Sequence, residues 1–197
     1  MKKANIAVLV SGGGTNLQAL IDAENSGVLH SGKITLVISN KADAYALTRA
    51  ANAGIKTAVI GNKEPGFEDR LISALDANGT DLIILAGFMC ILSEKFTSHF
   101  ERRIINVHPS LIPSFCGEGF YGLRVHRAAL DKGVKVTGAT VHFVNEIPDG
   151  GEIILQKAVD VLPGDTPETL QKRVMEQAEW IILPAAAEMI SAEIISG

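Results

Sequence analysis

The stretch Ile6-Ala-Val-Leu-Val-Ser-Gly-Gly-Gly-Thr-Asn-Leu-Gln18 decides how the whole chain is read. Its apolar run, residues 6–10, is short and rich in Ile and Val, which suits a strand buried on both faces. A glycine turn and Thr15-Asn16 follow, and residues 16–25 have helical spacing that stops at Asn25-Ser26-Gly27. A strand entering a helix through glycines can turn sharply. It aims backbone N–H groups, with the positive end of the helix dipole, at an anion beyond the sheet.

Outward from this unit the pattern repeats. Residues 34–38, 57–60 and 82–86 read as further buried strands, and 42–53 and 65–78 as helices between them. This βαβαβαβ order predicts an α/β fold: a doubly wound, mostly parallel sheet with right-handed crossovers and helices on both faces. Ser93 caps a short predicted helix at 94–100, ahead of a fifth strand at 103–107 that Pro109 ends. Residues 110–122, with Pro113 and three glycines, read as an extended loop. A helix at 125–132, strands at 135–144 and 152–161, and a helical tail at 167–195 kinked at Pro184 complete the reading. Residues 1–197 are expected to form a single domain.

With 47% hydrophobic and 20% charged residues and a net charge of −4, the chain has the balance of a globular enzyme. It lacks the basic excess that nucleic-acid backbones require, so no nucleic-acid partner is expected. Cys90 and Cys116 show no metal or redox spacing and read as reduced thiols. The first apolar run is too short for a signal segment and no stretch is long enough to span a bilayer, so no membrane is expected and the chain is assigned to the cytoplasm.

The glycine loop departs from a dinucleotide fingerprint, because Leu17 stands where a third glycine belongs and Ser39-Asn40-Lys41 offers no carboxylate for a ribose. It also lacks the Gly-Lys-Ser/Thr of a nucleoside triphosphate loop. A single phosphate group is the ligand it fits, with an empty strand–helix turn as the alternative. On the same sheet edge, Asn106 and His108 sit two apart on a predicted strand and leave the same face at its carboxyl end. An amide donor beside an imidazole suits stabilisation and protonation of an oxyanion. Asp149, in Ile147-Pro-Asp-Gly-Gly151, would raise the imidazole pKa if it lay close. Taken singly, Asp149 reads first as a turn residue and His108 as a structural histidine. His30, His99, His126 and His142 are read as structural, and His108, His126 and His142 lack metal-site spacing, so no metal is expected.

Together the motifs are more specific. Ser11-Gly-Gly-Gly-Thr-Asn-Leu-Gln18, Ser39-Asn-Lys-Ala-Asp43, Leu85-Ala-Gly-Phe-Met89, Asn106-Val-His-Pro-Ser-Leu-Ile-Pro113 and Gly138-Ala-Thr-Val-His-Phe-Val144 followed by Asp149-Gly-Gly151 occur in one order. In this the chain resembles the folate-dependent formyltransferase family with its Rossmann-like fold, and within it the enzymes that formylate glycinamide ribonucleotide in purine biosynthesis. The resemblance implies 10-formyltetrahydrofolate as co-substrate and glycinamide ribonucleotide as acceptor, acting in a monomer or homodimer. It implies a phosphate-binding half, residues 1–100, and a catalytic and folate-binding half, residues 101–197.

By residue, it implies catalytic Asn106, His108 and Asp149, with Gly14, Thr15 and Asn16 on the phosphate. Met89, Cys90, Ile91 and Leu92 would line the folate pocket, and Asn145, Glu146, Ile147 and Asp149 would close over the pterin. A ribose-binding glutamate falls at Glu179 counting back from Pro184, whereas counting forward from Arg173 reaches Ala178. One inserted residue would account for the difference, with Glu176 as the alternative. Cys90 and Glu64 stand where some relatives carry arginine, leaving Lys63 as the cation nearest Glu64. The loop through 114–121 is longer than in many relatives, and Arg124 replaces a histidine.

Overall fold

The computed structural model describes residues 2–197. Its elements are β1 (Ala4–Val10), α1 (Thr15–Ser26), β2 (Gly32–Ser39), α2 (Tyr45–Asn52), β3 (Lys56–Val59), α3 (Phe67–Ala77), β4 (Leu82–Leu85), α4 (Glu94–His99), β5 (Ile104–His108), α5 (Leu123–Lys132), β6 (Val136–Phe143), β7 (Ile153–Asp160), α6 (Pro167–Val174) and α7 (Trp180–Ser196). The strands form one sheet in the order β3-β2-β1-β4-β5-β6-β7. The first five are mutually parallel, β6 adds antiparallel to β5, and β7 adds antiparallel to β6, so that it runs in the direction of the first five. The expected doubly wound, mostly parallel sheet is therefore present.

Period-two alternation divides the core into two. Ile6, Val8 and Val10 of β1 pack on one face with Leu17, Leu20 and Ile21 of α1 and with α6 and α7. Ala7 and Leu9 pack on the other with Leu71, Leu75, Phe96 and Phe100 of α3 and α4. A strand buried on both sides has no polar positions to alternate, which is why β1 reads as an unbroken apolar run.

The chain leaves β1 toward β2 and β3 and then crosses back to place β4 on the other side of β1. That reversal opens a crevice at the carboxyl ends of β1 and β4, the position where open α/β sheets bind ligands. Two loops meet there, since the Met89 backbone N–H donates to Ser11 Oγ at 2.8 Å.

The tail differs from its reading. Pro184 lies inside α7 without ending it, and the irregularity falls one turn earlier, where Met175–Glu179 form a π-helical turn between α6 and α7. A π turn is one residue inserted into an α-helix. It lets Leu170 and Val174 before it, and Ile182, Leu183 and Ala186 after it, all face the same core despite the extra residue.

Candidate active site

The glycine loop places Gly14 at the N-cap of α1 with φ +73°. A Cβ there would lie 2.6 Å from Ala46 Cβ, so both the backbone conformation and the close approach of α2 call for glycine. No side chain caps the helix, which leaves its first-turn N–H groups available to an anion. Arg49 braces the loop from behind, its Nε donating to the Gly13 carbonyl at 2.8 Å.

The π turn brings Glu179 to this loop. Its carboxylate is buried and accepts from Asn16 Nδ2 at 2.8 Å, and burial pushes its pKa up against that hydrogen bond. Asn16 Oδ1 is buried without a protein partner. Glu176, by contrast, faces outward, 3.8 Å from Lys172 one turn back. Of the two glutamates, only Glu179 reaches the loop, and the inserted residue is what turns it there.

On β5, Asn106 and His108 share the face opposite Ile105 and Val107, as the two-residue spacing requires. Antiparallel pairing sets Asn106 opposite His142 and His108 opposite Thr140. His142 Nδ1 lies 2.7 Å from the Phe143 carbonyl, and its Nε2 lies 3.2 Å from Asn106 Nδ2, within reach of Asp149 as well. His142 thereby fixes the Asn106 amide. From sequence His142 reads as structural, and its contact with Asn106 corrects that reading. The available signal was its place two residues from Thr140 on a strand that would have to pair with residues 104–108.

Asp149 closes the cluster. Its Oδ2 is 3.3 Å from His108 Nδ1 and its Oδ1 3.5 Å from His142 Nε2. The Gly117 N–H donates to Oδ2 at 2.8 Å, and His108 Nε2 lies 2.9 Å from the Phe115 carbonyl. The hairpin carrying Asp149 closes tightly, since a Cβ on Gly151 would fall 1.8 Å from the Phe143 carbonyl oxygen.

Burial works against the Asp149 charge, but His142, His108 and the Gly117 N–H outweigh it and hold its pKa below the ordinary value. For His108 the balance runs the other way. Burial lowers its pKa by more than Asp149 and the Phe115 carbonyl raise it. The expectation that the carboxylate would leave His108 with a raised pKa is thus corrected: Asp149 pushes in that direction, but desolvation is larger. His126 on α5 is buried with no protein partner on either ring nitrogen, and burial first, then the His108 charge, lowers its pKa to about 4.

The segment after β4 presents Met89 and Ile91 outward, at 52% and 72% exposure, whereas Leu92 is buried among Phe96 and its neighbours. Only the main chain of Leu92 is left to line a pocket. Cys90 Sγ accepts from Asn40 Nδ2 at 3.1 Å, and burial pushes its thiol pKa up. Asn145 Oδ1 accepts from the Ile147 N–H at 3.1 Å, turning the chain so that Ile147 is exposed. Glu64 is engaged by Arg70 at 2.5 Å. Among the described residues no group of His, Cys, Asp and Glu is arranged to hold a metal ion, and no helix is long and apolar enough to cross a membrane.

The sequence pattern of the formyl transferase family matches residues 4–186. The chain is 44% identical to phosphoribosylglycinamide formyltransferase of Escherichia coli strain K12, over 90% of this chain and 82% of that one. It is 47% identical to the trifunctional purine biosynthetic protein adenosine-3 of Bos taurus over 97% of its own length, yet spans only 19% of that protein. In structure it is similar to glycinamide ribonucleotide transformylase 1 from Symbiobacterium toebii, with a TM-score of 0.90 and 42% identity, covering 97% of this chain and 89% of that one.

Proposed function

The chain belongs to the formyl transferase family, and on that premise we propose that it transfers the formyl group of 10-formyltetrahydrofolate to the amine of glycinamide ribonucleotide. The observation that carries this reading is the convergence of an amide and an imidazole on one strand face with a carboxylate from the turn between β6 and β7, beside a glycine loop suited to a single phosphate ester.

The acceptor phosphate sits on the first-turn N–H groups of α1 at Gly14, Thr15 and Asn16, and Glu179 binds the ribose hydroxyls. A buried carboxylate whose only protein partner is one amide has acceptor capacity left for hydroxyl donors. Exposed Met89, Ile91 and Ile147 give the folate rings apolar contact, with backbone donors and acceptors of residues 89–92 and 145–149 alongside.

The acceptor amine attacks the formyl carbon, forming a C–N bond and a tetrahedral oxyanion. Asn106, held by His142, donates an N–H to that oxyanion. His108, whose pKa lies low before negative charge develops, takes up or holds its second proton as the oxyanion forms, with Asp149 stabilising the imidazolium. Collapse breaks the bond to the folate nitrogen, which receives the proton lost by the attacking amine through water. Formate is not released, and no electrons change hands.

The test follows the change in folate absorbance with a 10-formyl folate analogue, with and without glycinamide ribonucleotide. Turnover should require the nucleotide, and Asp149→Asn should lower kcat by about a hundredfold or more. Equal deformylation without the nucleotide would make the protein a hydrolase, and full turnover of Asp149→Asn would remove Asp149 from the mechanism.

A further inference from the structure

The loop between β5 and α5 contributes two main-chain groups to the cluster, the Phe115 carbonyl at His108 Nε2 and the Gly117 N–H at Asp149 Oδ2. We propose that this stretch of backbone is a positioning device for the catalytic pair: the Phe115 carbonyl orients His108 and receives the proton on its Nε2, while Gly117 fixes the carboxylate on the other side of the ring. The proposal rests on the reading of His108 as the group that meets the oxyanion.

Once protonated, as negative charge develops beside it, His108 is a two-donor group. Its Nδ1 faces a carboxylate and its Nε2 a carbonyl, and neither partner has a proton to give. A neutral imidazole would set one lone pair against an acceptor, whereas the imidazolium satisfies both. A ring flip would break both contacts at once, so the ring has a single orientation. An oxyanion is a stronger acceptor than a neutral carbonyl. The Nε2–H that rests on the Phe115 carbonyl is therefore drawn to the oxyanion as it forms, while Asp149 stays on Nδ1.

Backbone strain marks the same place. Among the described residues only Arg102, Phe115 and Asp149 have positive φ without being glycine, and two of these three touch His108. For a bulky residue such as Phe115, at φ +52°, the left-handed region is strained. The loop is anchored well enough to keep it. The Phe115 ring packs on the core, Ser110 Oγ donates to the Ser114 carbonyl at 2.5 Å, and Thr140 Oγ1 accepts from the Ile112 N–H at 3.1 Å. Gln156 Nε2 on β7 donates to the Ile112 carbonyl at 3.0 Å.

The titratable groups around His108 are Asp149, His142 on β6, His126 on α5, and Cys116, which feels the Asp149 charge. Phe115→Ala and Phe115→Gly separate the carbonyl from the ring. Both remove the ring, but glycine adopts the left-handed conformation freely and alanine does not. The readouts are the NMR titration of His108 and the pH profile of kcat in the full chain.

Phe115→Ala should move the His108 midpoint down by about half a pH unit, about threefold in proton affinity, and lower kcat at least about tenfold, and Phe115→Gly should restore most of both. One midpoint shared by all three proteins, or an alanine shift that glycine fails to restore, overturns the proposal. A restored midpoint with kcat unchanged throughout upholds the positioning role and instead removes His108 from the chemistry. Wild-type protein alone supplies a further check should Phe115→Ala not fold: a slowly exchanging Nε2–H proton is expected below the midpoint, and fast exchange there overturns the proposal.

Discussion

Replacing His126 by leucine should make the protein less sensitive to acid. His126 lies wholly buried on α5 with both ring nitrogens unpartnered, and its pKa falls from 6.5 to about 4 on folding. A group whose folded pKa is depressed in this way takes up its proton more readily when unfolded. Stability is then complete above the unfolded value and is lost as pH falls from about 6.5 toward about 4. At pH 5 the loss relative to pH 8 is about 2 kcal/mol from this residue alone. Leucine has similar bulk, cannot be protonated, and leaves no buried ring nitrogen without a partner, a defect that costs about 1 kcal/mol or more. His126→Leu should therefore be at least as stable as wild type at pH 8 and clearly more stable at pH 5. Urea unfolding at the two pH values measures this. With a slope of about 2 kcal/mol per molar, the variant should lose about 1 M less in midpoint than wild type between pH 8 and pH 5. His108 also carries a depressed pKa, but it is present in both proteins, so the difference isolates His126. Parallel losses of midpoint in the two proteins would refute the argument.

Gly14→Ala forces a left-handed Cβ against Ala46 and should cost about 2–4 kcal/mol, lowering Tm by about 6–10 °C. Gly12→Ala meets no atom within 4 Å and should melt within about 3 °C of wild type, so equal melting of the two variants would contradict the packing argument. Glu179→Gln retains an acceptor for Asn16 but loses the charge that would meet the ribose hydroxyls. It should raise KM for the nucleotide about tenfold with kcat nearly unchanged, whereas Glu176→Gln should change neither. Steady-state kinetics in which Glu176→Gln showed the larger effect would reverse the assignment.

Much of this protein is written in short-range pattern. Apolar runs of strand length, helical spacing between them, and glycines where the chain turns sharply were enough to read the doubly wound sheet. They also placed the loop before α1, because a strand buried on both faces and a helix N-terminus each impose their signature on consecutive residues. Asn106 and His108 share a face for an equally local reason, the two-residue repeat of a strand. What depends on register was not legible, and the inserted residue before Pro184 showed only as a mismatch in counting, with no sign of the contact it makes. His142 meets Asn106 across 36 residues only because β6 pairs antiparallel with β5 in one register. Glu179 meets Asn16 across 163 residues only because a π turn rotates the helix that carries it. The sign of the His108 shift was equally out of reach. A neighbouring carboxylate can be inferred from a motif, but the desolvation that outweighs it is a property of everything packed around the ring. The sequence determined the scaffold and the residue types brought to its edge. The tertiary structure decided which of them touch, which are buried, and hence which charge each one carries.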